Sequence, residues 1–442
     1  MYEVRDPIHQ TIVFTDAEKR VIDHPFVQRL RYIRQLGLKS TVYPTAVHDR
    51  FAHALGAMHL AGRVFDALNA ESRVFHALRS GTRTYLRRSL RFAALLHDVG
   101  HGPFSHASEA LMPRLSGLGI PRGWYTHYNA KRQATHEDYS VLLIKTLGSP
   151  RENIFSPAEA QDIASLVHKH IHPSAQWVKR FRTPKEAAAY HIFFARLISG
   201  EIDVDRLDYL LRDAYFTGVP YGVYDLEWLL HTIGTRMTSR GPVLVIKEGG
   251  LRAFEDFLLA RYHMFLQVYF HRTTSAFEHY VERAISEHEI PLKIPTDPHA
   301  YAELRDGSVI EALYAAAKEK GHPWSRLLVN RVPAKLVYRF DRGNIEDERR
   351  YRTVLHTLRR AKIRYFERTA RRTLTEHPVL VPGASRIFVE EKFLDRVRYT
   401  PIERASPLLQ KYNEQIDRVY VYVFREDYPR ALEVLHKVYK MR

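Results

Sequence analysis

Apolar residues recur at three- and four-residue spacing through most of residues 16–290, the pattern that gives a helix one continuous apolar face. VFDALNAESRVFHAL from Val64, SLRFAALLHD from Ser89, HEDYSVLLIKTL from His136 and LEWLLHTI from Leu226 all follow it. Proline and glycine clusters at Pro113, Pro121–Gly123, Pro173 and Gly218–Gly222 punctuate these runs and predict the connections. Short strand pairs are expected at TIVF near the N-terminus and around PVLVIKEGG from Pro242. After about residue 290 the texture changes. Pro291, Pro295 and Pro298 come first, then a basic segment, RRYRTVLHTLRRAKIRYFERTARR, read as helix. Two alternating stretches, RIFVEEKF and DRVYVYVF, predict strands, and PRALEVLHKVYK a last helix. The fold expected is mainly α: a large helical core over 1–290 carrying a smaller basic α+β lobe over 291–442.

Composition narrows the class. With 442 residues, 45% of them apolar and 26% charged, the chain has the make-up of a soluble globular protein. No apolar run approaches the roughly 20 residues that cross a bilayer. MYEVRDPIHQ has no basic segment leading into an apolar one, so a cytoplasmic protein is the expectation. The absence of cysteine excludes disulfides, thiolate metal sites and a thiol nucleophile. Any metal must therefore be held by His, Asp or Glu. The net charge is +17, and residues 331–442 carry 26 basic against 15 acidic residues, about two thirds of that excess. Such asymmetry suits anionic partners, nucleotides or nucleic acid among them, and equally a solvated, self-repelling surface.

The candidate chemistry begins at LLHDVGHGPFSH, residues 95–106. A helix ending in His97–Asp98 aims an imidazole and a carboxylate into one concavity, and the glycines that follow let the backbone bring His101 back to the same space. A mixed His/carboxylate set suits a divalent ion such as Mn, Fe, Mg, Zn or Ni. Upstream, HDRFAHALGAMHLAG places Arg50 and His53 within one helical turn. Downstream, GEIDVDRLDYLLRDAYFTG holds Asp203, Asp205, Asp208 and Asp213, with Asp205, Tyr209 and Asp213 at four-residue spacing on one face. Carboxylates crowded on an apolar helix are costly unless a cation or hydrogen bonds balance them. Phosphoester hydrolysis needs positive charge on a non-bridging oxygen, an activated water and a proton for the leaving oxygen. A metal supplies the first two, and histidine can supply the third at neutral pH. No GxxxxGK[ST] loop is present, which argues against a P-loop enzyme.

The spacing H…HD…D, carried by His53, His97–Asp98 and Asp205, resembles that of the HD-domain metal-dependent phosphohydrolases. QRLRYIRQLG, PTAVHDRFAHALG, HDVGHGPFSH, HED and DVDRLDYLLRD are similar, in the same order across roughly residues 1–290, to the motifs of one branch, the deoxynucleoside triphosphate triphosphohydrolases. The resemblance implies His53, His97, Asp98 and Asp205 as metal ligands. It makes His101 and His136 the catalytic histidines, with His106 and Glu109 in support, where Glu109 replaces the family's usual aspartate. It puts Arg50 and Arg261 on phosphates, Gln35 on the deoxyribose, and Tyr209, Asp213 and Tyr269 around the sugar. Phe265 and Phe270 stand where the animal enzyme has polar residues. The segment VIDHPFVQRLRYIRQLG resembles the stretch that holds a guanine nucleotide between subunits in allosteric members, so Asp23, Gln28 and Arg31 are candidates for a GTP or dNTP effector. Tyr2 and Arg5 depart from the animal enzyme's lysine and asparagine there. Relatives assemble, so a homo-oligomer, dimer or tetramer, is implied as well.

Two rival readings stay open beside dNTP hydrolysis. One keeps the reaction class but takes another nucleotide or a single-stranded nucleic acid. The other is a regulatory nucleic-acid-binding protein working through its basic C-terminal lobe. VHKHIH, with His168, His170 and His172, is read as structural rather than as a second metal site. In the basic segment Val354, Leu358, Ala361 and Tyr365 form an apolar stripe, which predicts a packed helix with a solvated basic face.

Overall fold

The computed structural model describes residues 1–70, 73–104, 108–109, 111–343, 345–373, 387–394, 396–411 and 415–440. The expected helices form. The helix Arg50–Ala70 packs against Ser80–Leu96 and Val204–Thr217 in one core that also takes in His136–Leu147, Pro157–Val167 and Pro184–Ile198. Close approach depends on glycine at two points. A Cβ on Gly56 would lie 1.8 Å from the Asp208 carboxylate of the crossing helix, and one on Gly100 would lie 2.1 Å from the His136 carbonyl oxygen. The helix His136–Leu147 starts at a capping box, in which Thr135 accepts from the Asp138 N–H and Asp138 accepts from the Thr135 N–H. That box fixes where His136 points.

Among the described residues nine strands form three sheets. Tyr2–Asp6 (β1) and Gln10–Phe14 (β2) make the N-terminal hairpin. Ile233–Thr238 (β3), Gly241–Lys247 (β4), Lys335–Asp341 (β5), Tyr365–Thr373 (β6), Ile387–Phe393 (β7), Arg396–Pro401 (β8) and Gln415–Val423 (β9) follow. One sheet runs β3-β4-β7-β8, with β4 and β7 parallel, so the hairpin β7–β8 extends a sheet begun before residue 290. The other runs β5-β9-β6, antiparallel throughout.

The alternation in RVYVYVF gives β9 two different faces. Val419, Val421 and Val423 pack under the helices Ile345–Arg360 and Tyr428–Lys440, while Tyr420 and Tyr422 pack toward Ala276, Phe277 and Tyr280 of the helix Arg272–Ser286. The lobe is thus a sheet with the core on one side and two basic amphipathic helices on the other.

The basic segment is a correction. Its helix ends at Arg360, Lys362 turns with a φ of 54°, and Tyr365–Thr373 pairs with β9 as a strand. The apolar stripe still meets one core: Val354 and Leu358 are fully buried on the helix, and Ala361 and Tyr365, beyond its end, pack partly buried against the same cluster.

Candidate metal centre and substrate cavity

The four aspartates of the helix Val204–Thr217 and its cap have four separate positions. Asp203 caps the helix, accepting from the Arg206 N–H at 2.7 Å. Asp205, two residues on, faces His53 and His97. One donor atom from each of His53, His97 and Asp205 lies within 4.8 Å of the others, a group able to hold a metal ion. His53 Nε2 is 3.0 Å and His97 Nε2 is 3.5 Å from Asp205 Oδ1. Asp98 stands at the edge of this group, its Oδ1 3.4 Å from His97 Nε2, while its Oδ2 takes Arg50 as partner.

The donor set fits a divalent ion because the far side of each imidazole is already engaged. His97 Nδ1 lies 2.7 Å from the Ala94 carbonyl and His53 Nδ1 2.8 Å from Asp208 Oδ2, which leaves both Nε2 lone pairs for the centre. Burial opposes charge on His53, yet hydrogen bonds to Asp205 and Asp208 push its pKa up to about 10, so a cation bound here would take the place of the Nε2 proton. Burial likewise opposes charge on Asp98, but His97, Arg50 and His101 hold its carboxyl well below the usual range. Carboxylates kept ionised around imidazoles in a closed site are what a bound cation requires.

Asp208 is the hub of a buried network that sequence reading left without a role. Its Oδ1 meets His9 Nε2 at 2.7 Å and Arg212 Nη2 at 2.8 Å, and its Oδ2 takes Arg212 Nε at 2.8 Å. Arg212 also donates to Asp6 Oδ2 at 2.7 Å. Asp6 and His9 belong to the N-terminal hairpin, so β1–β2 braces His53 from beneath. DPIH carries the only sequence signal for this, and nothing in the motif shows that it reaches a helix 200 residues away.

Beside the metal group His101 and His136 stack with ring centroids 3.9 Å apart, 18° from parallel. Burial, then Arg50 and His136, depress the His101 pKa well below its ordinary value, so its ring is neutral. His136 Nδ1 pairs with Glu109. His106 lies outside the described residues. The loop carrying His101 is held by Arg29, a buried residue not anticipated, which donates to the His101 carbonyl at 2.7 Å. Phe104, at a φ of 52°, is fixed by donating to Asp306 Oδ1 at 2.9 Å.

A cavity of about 540 Å³ opens on this group. Gln35, Arg50, Tyr209, Asp213 and Tyr269 line it together with Asp98, His101, His136 and Asp205, so most of the expected substrate residues share one space. Tyr269 ends a π-helical turn, Phe265–Tyr269, and donates to Asp213 Oδ2 at 2.7 Å. A turn of that kind re-aims side chains at functional sites. His48, also not anticipated, meets Asp213 Oδ1 at 2.8 Å and stacks on Phe216. Arg261 is buried outside the cavity lining, with Glu201 at 3.8 Å. Arg206 and Lys39 line the cavity instead, as do Arg368, Thr369, Ala370 and Tyr420 from the C-terminal sheet.

Of the three regulatory candidates Asp23 and Arg31 are exposed, and Gln28 is half-buried, donating to the Ile22 carbonyl at 2.8 Å. Asp23 caps the helix Asp16–Ile22 and pairs with Lys19, and Arg31 donates to Gln28 at 2.8 Å and lies over the Phe51 ring. His168 is buried against Asp138, whose carboxylate also takes Arg132 and Tyr125, which fits its structural reading.

Residues 50–213 match the HD domain, and residues 225–429 match the HD associated region. An uncharacterised protein of Bacillus subtilis, YwfO, is 35% identical over 279 residues, 62% of this chain and 53% of the relative. The deoxynucleoside triphosphate triphosphohydrolase SAMHD1 of Bos taurus is 27% identical over 367 residues, 77% of this chain and 58% of the relative. The chain spans about half the length of the first curated relatives it matches. A crystal structure of a hypothetical protein from Aquifex aeolicus superposes with a TM-score of 0.72 at 27% identity, covering 98% of this chain and 99% of the other. No helix among the described residues is long and apolar enough to cross a membrane.

Proposed function

The chain belongs to the HD-domain phosphohydrolases, and from that premise we propose that it converts a dNTP and water to a deoxynucleoside and inorganic triphosphate. One observation supports the reading above the others: a single cavity is lined by Asp205 of the metal-holding group and Asp98 beside it, by the His101–His136 pair and by the Tyr209–Asp213–Tyr269 cluster. Likeness to enzymes named as dNTP triphosphohydrolases supports it.

In this reading His53, His97, Asp98 and Asp205 would hold a divalent ion, which when bound would supply positive charge to the α-phosphoryl group and a more acidic water. Arg50 and Arg206 line the same end and take the remaining phosphate charge. His136, backed by Glu109, holds the proton destined for the leaving 5′-oxygen, and the neutral His101 orients it through their stacked rings. Tyr209 and Tyr269, 6.1 Å apart between centroids and nearly perpendicular, close around the deoxyribose. Asp213, held from two sides by His48 and Tyr269, accepts from its 3′-hydroxyl. A homo-oligomer and a guanine-nucleotide or dNTP effector near Asp23, Gln28 and Arg31 belong to the same proposal.

The test is product analysis. Purified protein is incubated with each dNTP and with Mn, Fe, Mg, Zn or Ni, and the products are separated chromatographically. Deoxynucleoside plus triphosphate is the expected outcome. Release of only mono- or diphosphate, or no turnover with any metal, overturns it.

A further inference from the structure

The cavity does not end at the sugar residues. Its far wall, away from the metal group, is built partly by the C-terminal lobe, through Arg368–Ala370 of β6 and Tyr420 of β9. Opposite these stand Glu278 and Glu282, one turn apart on the helix Arg272–Ser286, and Lys39 from the 3-10 turn Gly37–Thr41. Arg368 donates to Glu282 and lies 3.9 Å from Glu278, and Lys39 pairs with Glu278. Two cations and two carboxylates therefore face each other at this end. Phe265 and Phe270 line the same space, with ring centroids 5.5 Å apart.

The two ends of the cavity differ in spare charge, and that decides what each takes. At the far end Arg368 and Lys39 are matched by Glu278 and Glu282, which leaves no net attraction for a triphosphate, whereas at the metal end Arg50 and Arg206 stand beside a group able to hold a cation. The far end suits a neutral, flat, hydrogen-bonding group. Aromatic faces give it stacking surface, the carboxylates accept from N–H groups, and Arg368 and Lys39 donate to carbonyl oxygens or ring nitrogens.

The geometry points to the C-terminal lobe as the base-reading wall of the cavity, with Arg368, Glu278 and Glu282 as its polar contacts. This rests on the dNTP reading above and extends it to base choice. It also gives the lobe a role in specificity: the sheet β5-β9-β6 carries Arg368 to the substrate, and Glu282 sets the direction of that guanidinium.

The experiment compares kcat/KM for dATP, dGTP, dCTP and TTP in the full-length wild type, Glu282→Gln and Arg368→Met, with metal content measured on each. Glu282→Gln replaces a charged acceptor by a neutral amide. The three nucleotides with an exocyclic amino group should then lose at least about tenfold relative to TTP, the worth of one hydrogen bond to a charged group. Arg368→Met should also reorder the four substrates. Metal content should stay at the wild-type level in both, because neither residue touches the metal group. A uniform loss across all four nucleotides, or unchanged ratios in both variants, overturns the base assignment while leaving dNTP hydrolysis intact. Failure of the wild type to release triphosphate from any dNTP overturns the reaction, and this wall falls with it.

Discussion

Gly100→Ala tests whether the loop after His97–Asp98 and the start of the helix His136–Leu147 act as one unit. The added methyl would sit 2.1 Å from the His136 carbonyl oxygen and 2.2 Å from the Ser140 nitrogen, both backbone atoms that no rotamer change can move aside. Ordinary van der Waals contact starts near 3.4 Å, so the two segments must part by more than about 1 Å. That separation strains three hydrogen bonds: Gly100 N–H to Ser140 Oγ at 3.0 Å, Ser140 Oγ–H to the His97 carbonyl at 2.8 Å, and Tyr301 O–H to the Gly100 carbonyl at 2.6 Å. Overpacking a core costs about 1–3 kcal/mol. Each strained bond adds up to roughly 1 kcal/mol. The expected loss is therefore about 2–5 kcal/mol, read as a lower urea midpoint. The same displacement pulls His101 from His136, now 3.9 Å apart, and a shift of about 1 Å at reacting groups can cost on the order of a hundredfold in rate. The assay is urea unfolding alongside turnover at saturating substrate, in conditions where the variant is still folded. A midpoint within about 1 kcal/mol of wild type, taken together with turnover within about threefold, would refute the proposed contact.

Four other outcomes follow from the same geometry. Asp208→Asn keeps the shape of the hub but removes the charge behind His53, so metal affinity measured by calorimetry should fall about 10- to 100-fold with the fold retained, and unchanged affinity would remove Asp208 from the metal's support. ATP should be turned over far more slowly than dATP if Tyr209, Asp213 and Tyr269 leave no room at the 2′-carbon, and equal rates would sink that pocket. Burial pushes the His191 imidazole down to about 4, against a weaker opposing hydrogen bond to Ser165, so the unfolded chain takes up the proton first below its ordinary pKa. Stability should therefore drop as pH falls from about 6.5 to 4, by no more than about 3 kcal/mol from this group, and His191→Gln should flatten that part of the curve in denaturation measured across the range. GTP should raise dNTP turnover or particle mass in the wild type and not in Asp23→Ala, by the roughly 5- to 150-fold typical of allosteric coupling, and a wild type indifferent to every nucleotide would make that surface plain scaffold.

What the sequence showed depended on how locally each feature is encoded. Helices from Arg50 to Thr217 were legible because their apolar spacing is continuous and their ends carry caps. His53, His97, Asp98 and Asp205 could be singled out because their motifs resemble those of a known family, and the fold draws His53, His97 and Asp205 together with Asp98 at the edge. In the basic segment, charge concealed the change of period at Lys362. Arginines fill both the solvent face of the helix Ile345–Arg360 and much of β6, so the helix expected through to Arg372 runs about three turns past a break that a single left-handed residue makes. The pairing of β4 with β7 was out of reach for a different reason: it joins strands about 140 residues apart, and neither carries any mark of the other.

The same distance effect hid half of the site. Each of the four aspartates near Asp205 looks alike in sequence, yet one caps a helix, one faces the metal group, one anchors a buried network and one receives Tyr269 and His48. What separates them is the partner that the fold brings to each, and those partners come from the N-terminal hairpin, from Arg50–Ala70, from the π-helical turn and from the segment before Arg50. Asp208 shows why this matters for function. Buried without a cation its carboxylate would be strongly destabilising, and Arg212, itself shared with Asp6, removes that cost. The charge left over is directed at His53 Nδ1. A residue left without a role in the sequence reading thus acts on His53, the imidazole proposed to hold the ion, and a hairpin outside the matched HD domain supports it there.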